Sequence, residues 1–395
     1  MLRAMSFFLF VAAILGAGTA WSAESLKLAA VPSDSERLSD IEVLAKYQAL
    51  AKYLGAQLNT PVNFTPVANP FVAAKRASRG EYDMIIAPGH TIASVLKAGY
   101  NPVGKEGGGV EAVFVTTPNA KWTSLQDSAG AKLGLPPFES LQAGLARGEL
   151  NSKSVETKKH FKEARYFRSQ EAQLFALEIN SMDIVAVDSA LAEKWLKSHP
   201  GKIIQHTAEA PKMAFAVNTK RMSPEQEKKV EGALLKYAEA ETSARKKMVF
   251  SPTKREEFAA ISSMLNTTPK ELAGAQVIEA KQASDMVAKG ITIIDARGDM
   301  EFAEGHIKGA LLIPYQEVSA KEVGFDAAED KFDLARLPQD KNTAMLLYCD
   351  GTPCWKSYKA SVLAIRNGWK NVYWFRGGYP EWKATGYPVE TGKAR

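Results

Sequence analysis

Past residue 24 the chain alternates short apolar runs with amphipathic stretches. Leu26–Val31 reads as a strand and ends in the polar turn Pro32-Ser33-Asp34-Ser35. From Asp40 to Leu58, apolar side chains at Ile41, Leu44, Ala45, Leu50, Leu54 and Leu58 recur at helical spacing. A short strand, Val62–Phe64, and a helix ending at Arg79-Gly80 follow. Tyr82–Ala87 is then a continuous apolar run stopped by Pro88-Gly89, the pattern of a strand buried on both faces in a parallel sheet. Further strands are predicted at Ala112–Thr116, Lys132–Leu135, Asp183–Val187 and Met213–Asn218, with helical stretches between most of them. Strand and helix in alternation predict an α/β fold. Residues 224–247 read as a Glu/Lys-rich helix, and the helical pattern runs on to Leu265, where Asn266-Thr267-Thr268-Pro269 breaks it.

With 395 residues the chain exceeds the size of a single hydrophobic core, so two or three compact units are expected, with the boundary at 266–276. No short-period repeat or low-complexity tract interrupts it. Hydrophobic residues at 46% and charged residues at 24% exclude a disordered chain and a membrane bundle. Residues 1–23 read as a secretory signal: Arg3 supplies the positive start, Phe7–Leu15 the apolar stretch, and Ala20, Ser22 and Ala23 a cleavage region. That stretch is about half of the roughly 20 residues a spanning helix needs, so export to the periplasm is predicted in place of anchoring.

The formal charge of +6 is a mild excess. The basic runs Lys158-Lys159, Lys228-Lys229 and Arg245-Lys246-Lys247 stand beside acidic residues on helical segments, as solvated faces do, and nucleic acid is not an expected partner. The two cysteines, Cys349 and Cys354, lie together near the C-terminus. A disulfide framework spreads its cysteines; two neighbouring thiols point to chemistry, redox sensitivity or one local bridge.

Residues 24–265 carry an opening strand, the helix Tyr47-Gln48-Ala49-Leu50-Ala51-Lys52-Tyr53-Leu54-Gly55 and the passage Gly80-Glu81-Tyr82-Asp83-Met84. Gly134-Leu135-Pro136 and Asn180–Asp188 come later. In this order they resemble a type 2 periplasmic binding protein, of the phosphonate- and phosphate-ester-type family that serves ABC importers. The resemblance implies two lobes, chain crossings near 112–118 and 208–216, a small anionic ligand in the cleft between the lobes, and an ABC permease as partner. Helix N-termini hold such anions through unsatisfied N–H groups and the positive end of the dipole. The candidate ligand residues are Ser33, Ser35, His90, Thr91, Ser140 and Asp188. Ser33, Thr91 and Ser140 read equally as ordinary N-caps. His90 reads also as a surface loop residue, and Asp188 as an amine contact or a cap. Where the family carries a Ser/Thr-rich turn, this chain has Pro136-Pro137-Phe138-Glu139-Ser140-Leu141, which places phosphonate itself in doubt.

Residues 277–391 carry two sharper signatures. Ile291–Asp295 leads into Ala296-Arg297, followed by Glu301, Gly305-His306-Ile307, Gly309-Ala310 and Ile313-Pro314. Near the end stand Arg376-Gly377-Gly378-Tyr379-Pro380-Glu381-Trp382 and Gly386-Tyr387-Pro388. Together they resemble a rhodanese domain, an α/β fold with a central parallel sheet. Between them, the apolar strand Ala344–Tyr348 delivers Cys349 to the start of a helix, where amide donors and a dipole lower a thiol pKa. The resemblance makes Cys349 the nucleophile of a sulfurtransferase. Its thiolate takes the outer sulfur of a sulfane donor such as thiosulfate and passes it to a thiol acceptor, with no metal or organic cofactor. It places Lys356 at the basic position that holds the anionic donor and assigns Asp295 and Arg297 to bracing the loop. The loop itself is Asp350, Gly351, Thr352, Pro353, Cys354 and Trp355, with Ser357 following. It is longer than the usual four residues and holds a second cysteine, which reads as a disulfide partner or resolving thiol.

Two functions follow. One is a periplasmic sulfurtransferase fused to an anion-binding domain. The other is an importer's solute receptor with a silent or redox-regulatory rhodanese module, working with a permease or a periplasmic thiol protein. A cysteine phosphatase or arsenate reductase is disfavoured, since no arginine lies between Cys349 and Arg366 to grip a tetrahedral oxyanion bidentately.

Overall fold

The computed structural model describes residues 25–33, 40–240 and 248–393. The proposed signal at 1–23, Ser35 and the basic run 245–247 lie outside the described residues. No helix among the described residues is long and apolar enough to cross a membrane.

The first lobe is built on a six-stranded sheet with Leu26–Ala30 flanked in parallel by Val62–Pro66 and Met84–Pro88. Ala210–Asn218 then pairs antiparallel with Met84–Pro88 and with Tyr100–Val110, and Phe250–Ser251 closes the edge. Alternation along the strands sorts the two faces. Leu28, Ala30, Met84, Ile86 and Phe215 pack on Tyr47, Leu50, Leu54, Val230 and Leu234. Ala29, Val31, Ile85, Ala87, Ala214 and Ala216 pack on Phe258, Ile261 and Leu141. A period-2 pattern with apolar residues on both faces is what a sheet covered by helices on each side requires.

The second lobe has five strands in the order Glu163–Tyr166, Lys132–Leu135, Ile184–Asp188, Ala112–Thr116, Lys202–His206. The chain crosses into it at Glu111, between the strands Tyr100–Val110 and Ala112–Thr116, and returns between His206 and Ala210. Both crossings fall at or ahead of the start of their expected windows. Ala112–Thr116 is a fully buried central strand of the second sheet, which leaves no room for a crossing at 112–118. Likewise Ala210–Asn218 is already a strand of the first sheet.

Two other expectations are corrected. Tyr100–Val110 is an eleven-residue strand that was not predicted. Its Pro102 and its glycines at 104 and 107–109 carry turn signals, and pairing on both sides overrides them. The helical run to Leu265 is interrupted: one helix covers Pro224–Ala240, Phe250–Ser251 is a strand, and a new helix spans Arg255–Leu265.

The C-terminal sheet is all parallel, in the order Ala275–Ile278, Val372–Phe375, Met345–Tyr348, Thr292–Asp295, Leu311–Leu312. Its edge strand thus begins two residues inside the segment read as a linker. Behind the cysteine loop, Lys359 on the Trp355–Arg366 helix is fully buried. Its Nζ donates to the carbonyl and hydroxyl oxygens of Ser319 at 3.0 and 2.8 Å, and pairs with Glu317 at 3.0 Å and Asp330 at 3.5 Å. Asp330 also accepts the N–H groups of Val318 and Ser319 and the hydroxyls of Tyr315 and Ser319. A buried charge is tolerated only when paired and hydrogen-bonded in this way, and the network fastens the long 315–331 excursion to that helix.

Candidate functional site

Cys349 leaves the C-terminal end of the central strand Met345–Tyr348 and is 1% exposed. The turn that follows passes through Gly351 at φ +88° and reaches Cys354, the N-cap position of the Trp355–Arg366 helix. Cys349 and Cys354 are joined by a disulfide, with Cα atoms 6.3 Å apart. Cys349 Sγ lies 3.0 Å from Ser357 Oγ. The indole N–H of Trp374 donates to that same oxygen at 3.1 Å, and because a disulfide sulfur carries no proton, Ser357 is the donor to it. The opposite wall is the Gly377-Gly378 turn. Tyr379 N–H donates to the Cys349 carbonyl at 2.9 Å, and a Cβ on Gly378, at φ +60°, would collide with that carbonyl oxygen. Only glycine allows the two loops to approach this closely.

Asp295 and Arg297 are buried together below the loop. Arg297 Nε and Nη2 donate to the two oxygens of Asp295 at 3.0 and 2.7 Å, and Nη2 donates also to the Gly305 carbonyl at 2.7 Å. The Tyr348 hydroxyl donates to Asp295 Oδ2 at 2.6 Å and accepts Ile307 N–H at 3.1 Å. Burial, with the Asp295 charge beside it, holds the Tyr348 phenol far above its ordinary pKa, so it remains a donor. The Arg297 guanidinium lies 4.4 Å from the centre of the Tyr379 ring. The pair thus contacts the residue before Cys349 and the opposite loop, and neither side chain hydrogen-bonds to the sulfur.

Lys356 sits in the first turn of the helix, with Nζ 3.5 Å from Glu301 Oε2. His306 donates to or accepts from nothing at the cysteine: its Nδ1 faces the Phe302 carbonyl at 2.9 Å, which makes that nitrogen the N–H. Its ring stacks on Phe302.

The cleft is framed by strand ends. Ser33 follows Leu26–Ala30 and Gly89-His90-Thr91 follows Met84–Pro88, adjacent parallel strands ending on one edge. On the facing lobe, Ser140 follows Lys132–Leu135 and Asp188 ends Ile184–Asp188, again adjacent and parallel strands. Such carboxyl ends are where α/β sheets bind ligands. His90 Nε2–H donates to the Glu139 carbonyl at 3.0 Å and so ties the two edges together. Its Nδ1 then carries the lone pair, and this atom and Thr91 Oγ1 are buried with no hydrogen-bond partner among the described residues. Ser140 Oγ accepts Ala143 N–H and Asp188 Oδ1 accepts Ala190 N–H, both as helix N-caps. Asp188 Oδ2 also accepts from Gln142 at 3.2 Å. Phe138 is half exposed and packs edge-on against Phe71 of the other lobe and Tyr166, with the Arg147 guanidinium 4.5 Å from its centre.

Burial pushes the His90 pKa down to about 4; Arg147 adds to this and the Glu139 carbonyl opposes it. The unfolded chain takes up that proton near pH ~6.5, so the stability this group provides is full above that value and is lost as pH falls toward ~4. Melts at about pH 7 and about pH 5 should show the binding lobes losing about 2 kcal/mol that His90→Gln does not lose. Equal losses in the two proteins would remove His90 as the cause.

A model of the family "ABC transporter, phosphonate, periplasmic substrate-binding protein" matches residues 36–264, more than half of the chain. The chain belongs to this family. A rhodanese-like domain model matches residues 279–385, so the binding protein continues into a rhodanese domain. Among solved structures, XAC2383 from Xanthomonas citri bound to ATP matches at 15% identity with a TM-score of 0.50, over 61% of this chain and 96% of that one; this likeness speaks for the fold. Among curated proteins, a tRNA uridine(34) hydroxylase of Bacillus mycoides is 31% identical over 37% of this chain and 42% of its own. The HTH-type transcriptional regulator Rv0324 of Mycobacterium tuberculosis is 26% identical over 34% of this chain and 50% of its own. The chain spans half or less of the length of these curated relatives.

In the rhodanese domain, the residues that sequence reasoning passed over are Trp374, Tyr348, Gly378 and a strap from the binding protein. Thr268 N–H and Oγ1 both donate to the Thr352 carbonyl at 3.0 and 2.8 Å, and the Trp355 indole donates to the Asn266 carbonyl at 2.8 Å. Arg376 holds the same strap, through the hydroxyl and carbonyl of Thr268 at 3.1 and 2.8 Å. The break at Asn266–Pro269 is therefore no free linker. Its residue types signal a turn, and nothing local signals that the turn docks on the cysteine loop.

Proposed function

We propose that this binding protein carries sulfane sulfur on Cys349 of its rhodanese domain and serves as a periplasmic sulfurtransferase, its cleft holding a small anion. The observation that carries the reading is the sulfur's seat, at the C-terminal end of a parallel strand, against the first turn of a helix and 3.0 Å from the Ser357 hydroxyl. Unsatisfied N–H groups, the helix dipole and that hydroxyl all favour sulfur as an anion. The reduced thiolate attacks the outer sulfur of thiosulfate; the S–S bond breaks and sulfite leaves with its electron pair. An acceptor thiolate, or cyanide in an assay, then attacks the outer sulfur of the persulfide and returns the Cys349 thiolate. Lys356 draws in the anionic donor from the loop's rim. This scheme uses no metal or organic cofactor. The ABC permease of the family and a periplasmic thiol protein are the proposed partners.

The Cys349–Cys354 bond favours a second reading, a solute receptor whose rhodanese module acts only as a redox switch. Thiocyanate formation from thiosulfate and cyanide separates them. The oxidised protein should be silent, because a disulfide sulfur is no thiolate, and prior reduction should raise the rate at least about a hundredfold. A reduced protein that forms no thiocyanate would leave the receptor reading.

A further inference from the structure

We infer that Cys354 discharges the Cys349 persulfide as hydrogen sulfide, which makes the domain a dithiol-consuming thiosulfate reductase as well as a sulfur carrier. The inference rests on the sulfurtransferase reading of Cys349. Three observations support it. The sulfur of Cys354 bonds directly to Cys349 Sγ, which in a persulfide is the inner sulfur. A thiolate arriving there forms the disulfide and expels the outer sulfur as hydrosulfide; attack on the outer sulfur would only move it from one cysteine to the other. Cys354 is tethered to Cys349, five residues along the same loop. A tethered nucleophile acts at an effective concentration far above that of soluble thiols. Finally, Cys354 is the less buried member of the pair, so an incoming dithiol attacks its sulfur first and expels Cys349 as the thiolate, ready for the next donor.

The balance is complete. The dithiol protein and thiosulfate give the disulfide protein, sulfite and hydrogen sulfide. The two protein thiols are oxidised, the sulfane sulfur is reduced, and their protons leave on the sulfide. An external dithiol then restores the protein and ends as its own disulfide.

The test is a single turnover of the full chain under anaerobic conditions, reduced, freed of reductant and mixed with one equivalent of thiosulfate. Sulfite, sulfide and intact mass are read together. The wild type should release sulfite and sulfide in equal amounts and become about 2 Da lighter than its reduced form. Cys354→Ser keeps a good N-cap for the helix, so the fold is retained. It should release sulfite, gain about 32 Da at Cys349 and yield at least about tenfold less sulfide. Sulfite without sulfide from the wild type, with the added mass retained, would overturn this inference and leave the sulfurtransferase standing. Equal sulfide from both proteins would also overturn it. No sulfite from either protein would overturn both readings.

Discussion

Cys349→Ser will form no thiocyanate above background in reduced protein, a loss of at least about a thousandfold. A serine hydroxyl in the same seat keeps the strand, the turn and the Ser357 contact. It does not ionise at neutral pH and has no sulfur chemistry by which to hold a second sulfur. The neighbouring groups do not replace it. Ser357 is a donor to the sulfur, and Asp295 and Arg297 are engaged with each other and with Tyr348 and Gly305. The measurement is the rate with thiosulfate and cyanide after reduction, compared with wild type and with a circular dichroism spectrum showing the fold intact. Retained activity would move the nucleophile away from Cys349 and end the proposed function.

Asp295→Ala will destabilise the rhodanese domain by about 3–5 kcal/mol, because it leaves the Arg297 guanidinium, 3% exposed, as an uncompensated buried charge. The Tyr348 hydroxyl loses its acceptor in the same step. For a domain of this size, that loss lowers the unfolding midpoint by well over about ten degrees. Removing the charge as well, in Asp295→Ala with Arg297→Met, should recover much of the stability, since an apolar side chain carries no desolvation penalty. Denaturant melts of the three proteins, followed by tryptophan fluorescence, to which Trp355, Trp369, Trp374 and Trp382 of this domain contribute beside Trp122 and Trp195 of the binding lobes, show the shift of the rhodanese transition. A loss under about 1 kcal/mol in the single variant would mean that the fork contributes no more than a surface pair.

Much of this architecture was legible because its signals are local. The apolar spacing from Asp40 to Leu58 describes the helix Asp40–Leu58, and Ala112–Thr116 and Lys132–Leu135 are strands as read. In each, the side chains that decide the element are two to four residues apart. The Tyr100–Val110 strand failed the same test. Its glycines and Pro102 argue against a strand until Ala210–Asn218 and Phe250–Ser251, over a hundred residues away, supply the hydrogen bonds. The hydroxyl residues of the cleft illustrate a different gap. Ser140 and Thr91 are the same kind of signal in the sequence, yet one oxygen caps a helix and the other is buried with no partner among the described residues.

The sequence by itself determined the α/β class, the succession of a binding protein and a rhodanese domain, and the position of Cys349 between a strand and a helix. The first follows from periodicity, the second from the resemblance of two sets of motifs to known families, and the third from a few consecutive residues. The tertiary structure decided between the readings of Cys354 by bonding it to Cys349, placed the Trp374 indole on the Ser357 hydroxyl, and linked Asp295 and Arg297 to Tyr348 and Gly305. It also decided that Asn266–Thr268 straps the binding protein onto the cysteine loop. Such contacts join segments distant in the chain, and their energy comes from excluding water around paired polar groups. A local pattern cannot encode that, because each partner becomes a partner only when packing brings the other to it.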